Sequence, residues 1–113
     1  MTATRKIYLS GPISGNADFL DDFRIAEEIV NTRFPASYVI NPAGLPISRY
    51  SGDIPHNVYM DFDLALLSRC DTIVLLPGFE HSKGAMIELE YAKAHCMDIF
   101  ILGGDYGLRP QNQ

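Results

Sequence analysis

The stretch that most restricts the architecture is Asp71-Thr72-Ile73-Val74-Leu75-Leu76, an apolar run of strand length that stops at Pro77-Gly78. Continuous apolar runs of this kind belong to strands buried on both faces of a parallel sheet. After the turn, Ser82-Lys83-Gly84-Ala85 opens a helix that carries Glu88. In open α/β sheets ligands collect beyond the carboxyl ends of the strands, so Glu88 stands one turn into a helix whose start faces a ligand crevice.

Three further strands and two further helices complete the pattern. Lys6 to Ser10 is a short apolar strand ending in the loop Gly11-Pro12-Ile13-Ser14-Gly15-Asn16, with Asn16 as the helix cap. Phe19, Phe23, Ala26 and Val30 then fall on one helix face, with Asp18, Asp21 and Asp22 at its N-terminal end and Pro35 ending it. Ser37 to Asn41 reads as the second strand. Pro42 to Asp53 is a long irregular loop of the kind that forms lids and substrate walls. Pro55 takes the first position of a second helix whose core face is Val58, Phe62, Ala65 and Leu66. Along the third helix the inward stripe is Ala85, Leu89, Ala92 and Cys96, and Asp98 to Leu102 is the fourth strand. Asp105 to Gln113 reads as a polar tail.

This order predicts a single α/β domain over residues 1–113: a flavodoxin-like, Rossmann-like three-layer sandwich with a parallel sheet of four to five strands in the order 2-1-3-4. The switch point then lies between the first and third strands. There the Ser10 to Asn16 loop, Asp63 and the Ser82 to Glu88 helix start meet.

Bulk composition narrows the partners. Net charge is −5 with only nine Lys and Arg, scattered, so no basic stripe for nucleic acid is present and a small-molecule ligand is expected. No run is long enough to span a bilayer, and the N-terminus lacks the pattern of a secretory signal, so the expectation is a cytoplasmic protein. Cys70 and Cys96 have no ligand or redox spacing and read as small buried hydrophobes. His56, His81 and His95 show no metal spacing, and no metal or cofactor is expected; only His81, near the turn, deserves testing.

Two acids carry the chemistry. Gly84, Ala85, Tyr91 and Ala92 surround Glu88 at helical spacings, so no Lys or Arg neutralises it and a substrate has room to approach. The helix by itself favours a solvated glutamate, which is how Glu90 reads with Lys93 three residues on, and only the rest of the chain turns the reading toward a site. Asp63 sits between Phe62 and Leu64 with Tyr59 one turn before it, so it is desolvated or aimed into a cleft, and desolvation raises its pKa. Tyr8 on the first strand reads by itself as core more readily than as a site residue. Gly11 and Gly15 read either as turn formers or as points of close ligand approach. Two carboxylates with a tyrosine suit glycosidic chemistry, where one carboxylate meets an oxocarbenium-like centre and the other acid manages the leaving-group proton.

Three blocks, Ile7-Tyr8-Leu9-Ser10-Gly11-Pro12-Ile13, Asp63 to Asp71, and Ser82 to Ala92, resemble the nucleoside 2-deoxyribosyltransferases and the related deoxynucleoside monophosphate N-glycosidases. Their order and separation fit over most of the chain, and the likeness is nearest to the short phage and bacterial branch of DUF4406 type. The resemblance implies N-glycosidic cleavage or transfer, with Glu88 as nucleophile, Asp63 as the acid and Tyr8 orienting the glutamate. It implies Gly11 and Ser82 in the sugar or phosphate pocket, a bacterial or phage source, and a homo-oligomer, dimer or larger. Ser10, Pro12, Ser14, Lys83 and Gly84 join the substrate-binding set through the same loop and helix start. The monophosphate N-glycosidases carry Ser and Arg where this chain has Pro12 and Ser14, which leaves Lys83 and the amides of the helix start as the anion-binding candidates. The transferases continue further at the C-terminus, so no base-reading residue is carried across. The alternatives are a non-catalytic nucleotide-binding module of the same fold and an NAD-cleaving enzyme that uses the same glutamate.

Overall fold

The computed structural model describes residues 4–13, 15–44 and 55–111, with the His56 side chain also outside the description. The elements are β1 (Lys6–Ser10), α1 (Phe19–Arg33), β2 (Tyr38–Ile40), α2 (His56–Leu67), β3 (Thr72–Leu75), α3 (Lys83–Ala94), β4 (Asp98–Leu102) and β5 (Leu108–Pro110). Single 3-10 turns stand at Pro42–Gly44 and Phe79–His81. Five strands form one sheet in the order β2-β1-β3-β4-β5. The first four are mutually parallel, and β5 runs antiparallel to β4.

Side-chain alternation along the central strands assigns the helices to faces. Ile7 and Leu9 of β1, with Val74 and Leu76 in and just after β3, pack against Phe23, Ala26 and Val30 of α1. The intervening Tyr8, Ile73 and Leu75 point the other way, onto Leu67 of α2 and Ala85, Leu89 and Ala92 of α3. Because successive strand residues face opposite sides, Tyr8 and Ser10 necessarily share the α2/α3 face. β1 and β3 are buried along nearly their whole length, which is why their sequences read as unbroken apolar runs.

The structure corrects several expectations. The region expected to be a polar tail contains β5, whose Leu108 and Arg109 pair with Leu102 and Ile101. A three-residue edge strand held mainly by backbone pairing gives a weak side-chain signal, so composition alone misses it. The core face of α2 is also rotated from the one expected: Val58 and Phe62 are 48% and 39% exposed, while Met60, Asp63 and Leu67 are buried. Asp63 belongs to the buried face, and a pattern scored on apolar residues alone cannot include it. Pro55 precedes α2 as its cap rather than occupying the first helical turn. Asn16 lies two residues before the α1 cap, Asp18, and accepts the Asp18 backbone N–H at 3.1 Å. Cys96 is exposed, in left-handed backbone with φ 55° just beyond α3, and Cys70 is half-buried, so neither is a fully buried hydrophobe. Most of the expected lid, Pro42 to Asp53, lies outside the described residues. Among the described residues, no helix is long and apolar enough to cross a membrane.

Candidate active site

Beyond the carboxyl end of β1 lies a cavity of about 540 Å³. Its floor is Tyr8, Ser10 and Gly11; one wall is α2, with Tyr59, Met60 and Asp63; the other is His81 and the start of α3 from Ser82 to Glu88. A volume in this range holds a small organic ligand of nucleoside size.

Glu88 is the most constrained group in it. The residue is only 5% exposed, and both carboxylate oxygens are occupied: Tyr8 Oη donates to Oε2 and Ser10 Oγ donates to Oε1, each at 2.6 Å. Those donors come from the same face of β1, two residues apart, so the strand's pleat presents them as a pair to one helix carboxylate. Burial pushes the Glu88 carboxyl up to about 7; the Ser10 and Tyr8 hydrogen bonds oppose the rise and the Asp63 charge adds to it. For Tyr8, burial first and then the charges of Glu88 and Asp63 hold the phenol well above its ordinary range. It therefore stays a neutral donor.

Asp63 is equally buried at 5% exposure, and desolvation pushes its carboxyl up to about 6. Its Oδ1 is shut off from solvent and has no hydrogen-bond partner. Two acids in one cavity lose their protons as a pair, here near pH 6 and pH 7. Depth of burial gives Glu88 the higher value, yet both Glu88 oxygens already receive a hydroxyl proton and Asp63 Oδ1 receives none. Those hydrogen bonds favour the charge on Glu88 and leave Asp63 Oδ1 open to share a proton with an acceptor in the cavity.

The other candidates divide. Gly11 lines the cavity, but a Cβ there would lie 2.7 Å from Leu76 Cβ, so close packing between the ends of β1 and β3 already requires glycine. Ser82 lines it too and caps α3, its Oγ accepting the Ala85 N–H at 3.2 Å. Gly84 allows α3 to approach α2, a Cβ there standing 3.3 Å from Met60 Sδ. Lys83 is exposed at the rim, and His81, the one histidine singled out for testing, lines the same rim. Pro12 does not line this cavity; it lines a separate, smaller hollow with Ile25, Leu76, Leu102 and Tyr106. Ser14 lies outside the described residues. Tyr59 was noted from the sequence only as a neighbour of Asp63, yet it lines the cavity; the i, i+4 spacing on one helix is the signal that could have found it. Among the described residues, no three His, Cys, Asp or Glu side chains cluster as metal ligands.

No curated protein and no solved structure matches the chain. A family model described as a domain of unknown function, DUF4406, matches residues 5–101, which include β1 to β3 and all three helices that build the cavity. The chain therefore belongs to the DUF4406 family.

Proposed function

We propose that the cavity cleaves or transfers the N-glycosidic bond of a (deoxy)nucleoside or deoxynucleoside monophosphate. The observation that carries this reading is the buried Glu88 carboxylate, held from both sides by Tyr8 and Ser10, with a second buried acid lining the same nucleoside-sized space. A Glu88 oxygen attacks the anomeric carbon as the C1–N bond breaks. The bonding pair leaves with the base, which takes the Asp63 proton. Water or a second base then gives a proton to the Asp63 carboxylate as it displaces the glycosyl group from Glu88, which leaves as a carboxylate. Tyr8 and Ser10 keep Glu88 from rotating, which preserves an attacking geometry. Lys83 and the first amides of α3 supply an anion site for substrates bearing a phosphate.

The same reading takes the domain as flavodoxin-like, with the site at the β1/β3 switch point, and the protein as a homo-oligomer. The outer face of α2, with exposed Val58, Phe62 and Ala65, supports assembly. A non-catalytic nucleotide-binding module is the second reading. It is favoured by one observation: no described residue after Glu88 lines the cavity.

Chromatography of deoxynucleosides and their monophosphates incubated with the protein, with and without an acceptor base, separates the two. Free base that disappears in Glu88→Ala, with ligand binding retained, supports the enzyme. Binding by the native protein with no base released from any substrate supports the module.

A further inference from the structure

Tyr59 is a half-buried side chain on the cavity wall that the proposed reaction leaves unused. Its Oη is shut off from solvent and has no hydrogen-bond partner, as is true of Asp63 Oδ1 one helical turn further along α2, and both side chains line the cavity. Burial, then the charge of Asp63, raises the Tyr59 phenol above its ordinary value, so the hydroxyl is a neutral donor held near that acid. An unpaired buried hydroxyl costs about 1–3 kcal/mol, and phenylalanine would fill the same space without that cost. A polar group entering the cavity would supply the partner that the protein does not.

Resting on the reading that the cavity takes a nucleobase glycoside, we propose that Tyr59 is a specificity-determining residue: its hydroxyl hydrogen-bonds the exocyclic group of a base whose adjacent ring nitrogen faces Asp63. α2 then offers two polar groups a turn apart to the cavity. The ligand class is a heterobase with a ring nitrogen and an exocyclic oxygen or amine side by side. A base with a bare edge leaves Tyr59 unpaired and binds more weakly.

The test uses hypoxanthine and purine, which share the imidazole nitrogen N7 and differ along that edge in the exocyclic oxygen at C6, titrated calorimetrically into the native chain and Tyr59→Phe. The expected result is a native preference for hypoxanthine of about tenfold in Kd, the worth of one neutral hydrogen bond, which the variant loses. The unliganded variant should melt no lower than the native chain, because it gives up no bond. A preference that persists in Tyr59→Phe, a native chain that does not distinguish or bind the two bases, or a variant that melts lower without ligand overturns the proposal. Release of hypoxanthine from 2′-deoxyinosine is followed in parallel. Release that Tyr59→Phe leaves unaltered in kcat/KM removes the Tyr59 role and keeps the glycosidic reading. A lost base preference with no release by the native chain removes the glycosidic reading and keeps Tyr59 as a base-binding residue.

Discussion

Glu88 is destabilising in its ionised form, and the sign of that effect is measurable without any substrate. Its carboxyl stands at about 7 in the folded chain against an ordinary 4.5, so the folded state holds the proton more tightly than the unfolded state does. The resulting contribution is fully present below about pH 4.5 and is lost as pH rises through about 7. Glu88→Gln keeps a side chain of the same shape and does not ionise. Urea unfolding should therefore show the variant matching the native chain at pH 4 and exceeding it by roughly 3 kcal/mol at pH 8. The paired acids would also shape the proposed activity. With one proton shared between Asp63 and Glu88, base release should peak between about pH 6 and 7. Tyr8→Phe removes a hydrogen bond that favours the Glu88 carboxylate, so a pH–rate profile should show the optimum displaced upward and the rate reduced about 10- to 100-fold.

At the scale of elements, the site depends on how tightly neighbouring segments approach. Gly11 is the sharpest case, since an added Cβ meets the Cβ of Leu76, an atom too close to the backbone to swing aside. Gly11→Ala should cost about 1–3 kcal/mol in chemical denaturation, and Leu76→Ala should not restore it because that Cβ remains. Between α2 and α3 the equivalent contact falls on the flexible end of Met60, so Gly84→Ala should be nearly neutral by the same measurement. How legible each element was follows from what signals it. The four parallel strands were visible because an unbroken apolar run needs only local reading. α2 was visible as a helix but was turned the wrong way, since its buried face contains Asp63 and its exposed face contains Val58 and Phe62. β5 was missed because its three residues give the core only Leu108, and the rest of its hold is pairing with β4.

For the molecule as a whole, that exposed face of α2 has a consequence for assembly. Phe62→Lys places a charge on the patch while leaving the cavity side of α2 untouched. If copies of the chain associate there, sedimentation should show the native protein as a dimer or larger and the variant shifted toward monomer. An unaltered native assembly would move the interface elsewhere. The sequence by itself determined the alternation of buried strands and amphipathic helices, and hence a parallel α/β sheet, because those patterns repeat over neighbouring residues. Only the tertiary structure decided that Glu88 is a clamped, desolvated carboxylate and not a surface charge like Glu90. Its two donors lie 80 and 78 residues away, and the burial that raises its pKa exists only once β1, α2 and α3 close around one space.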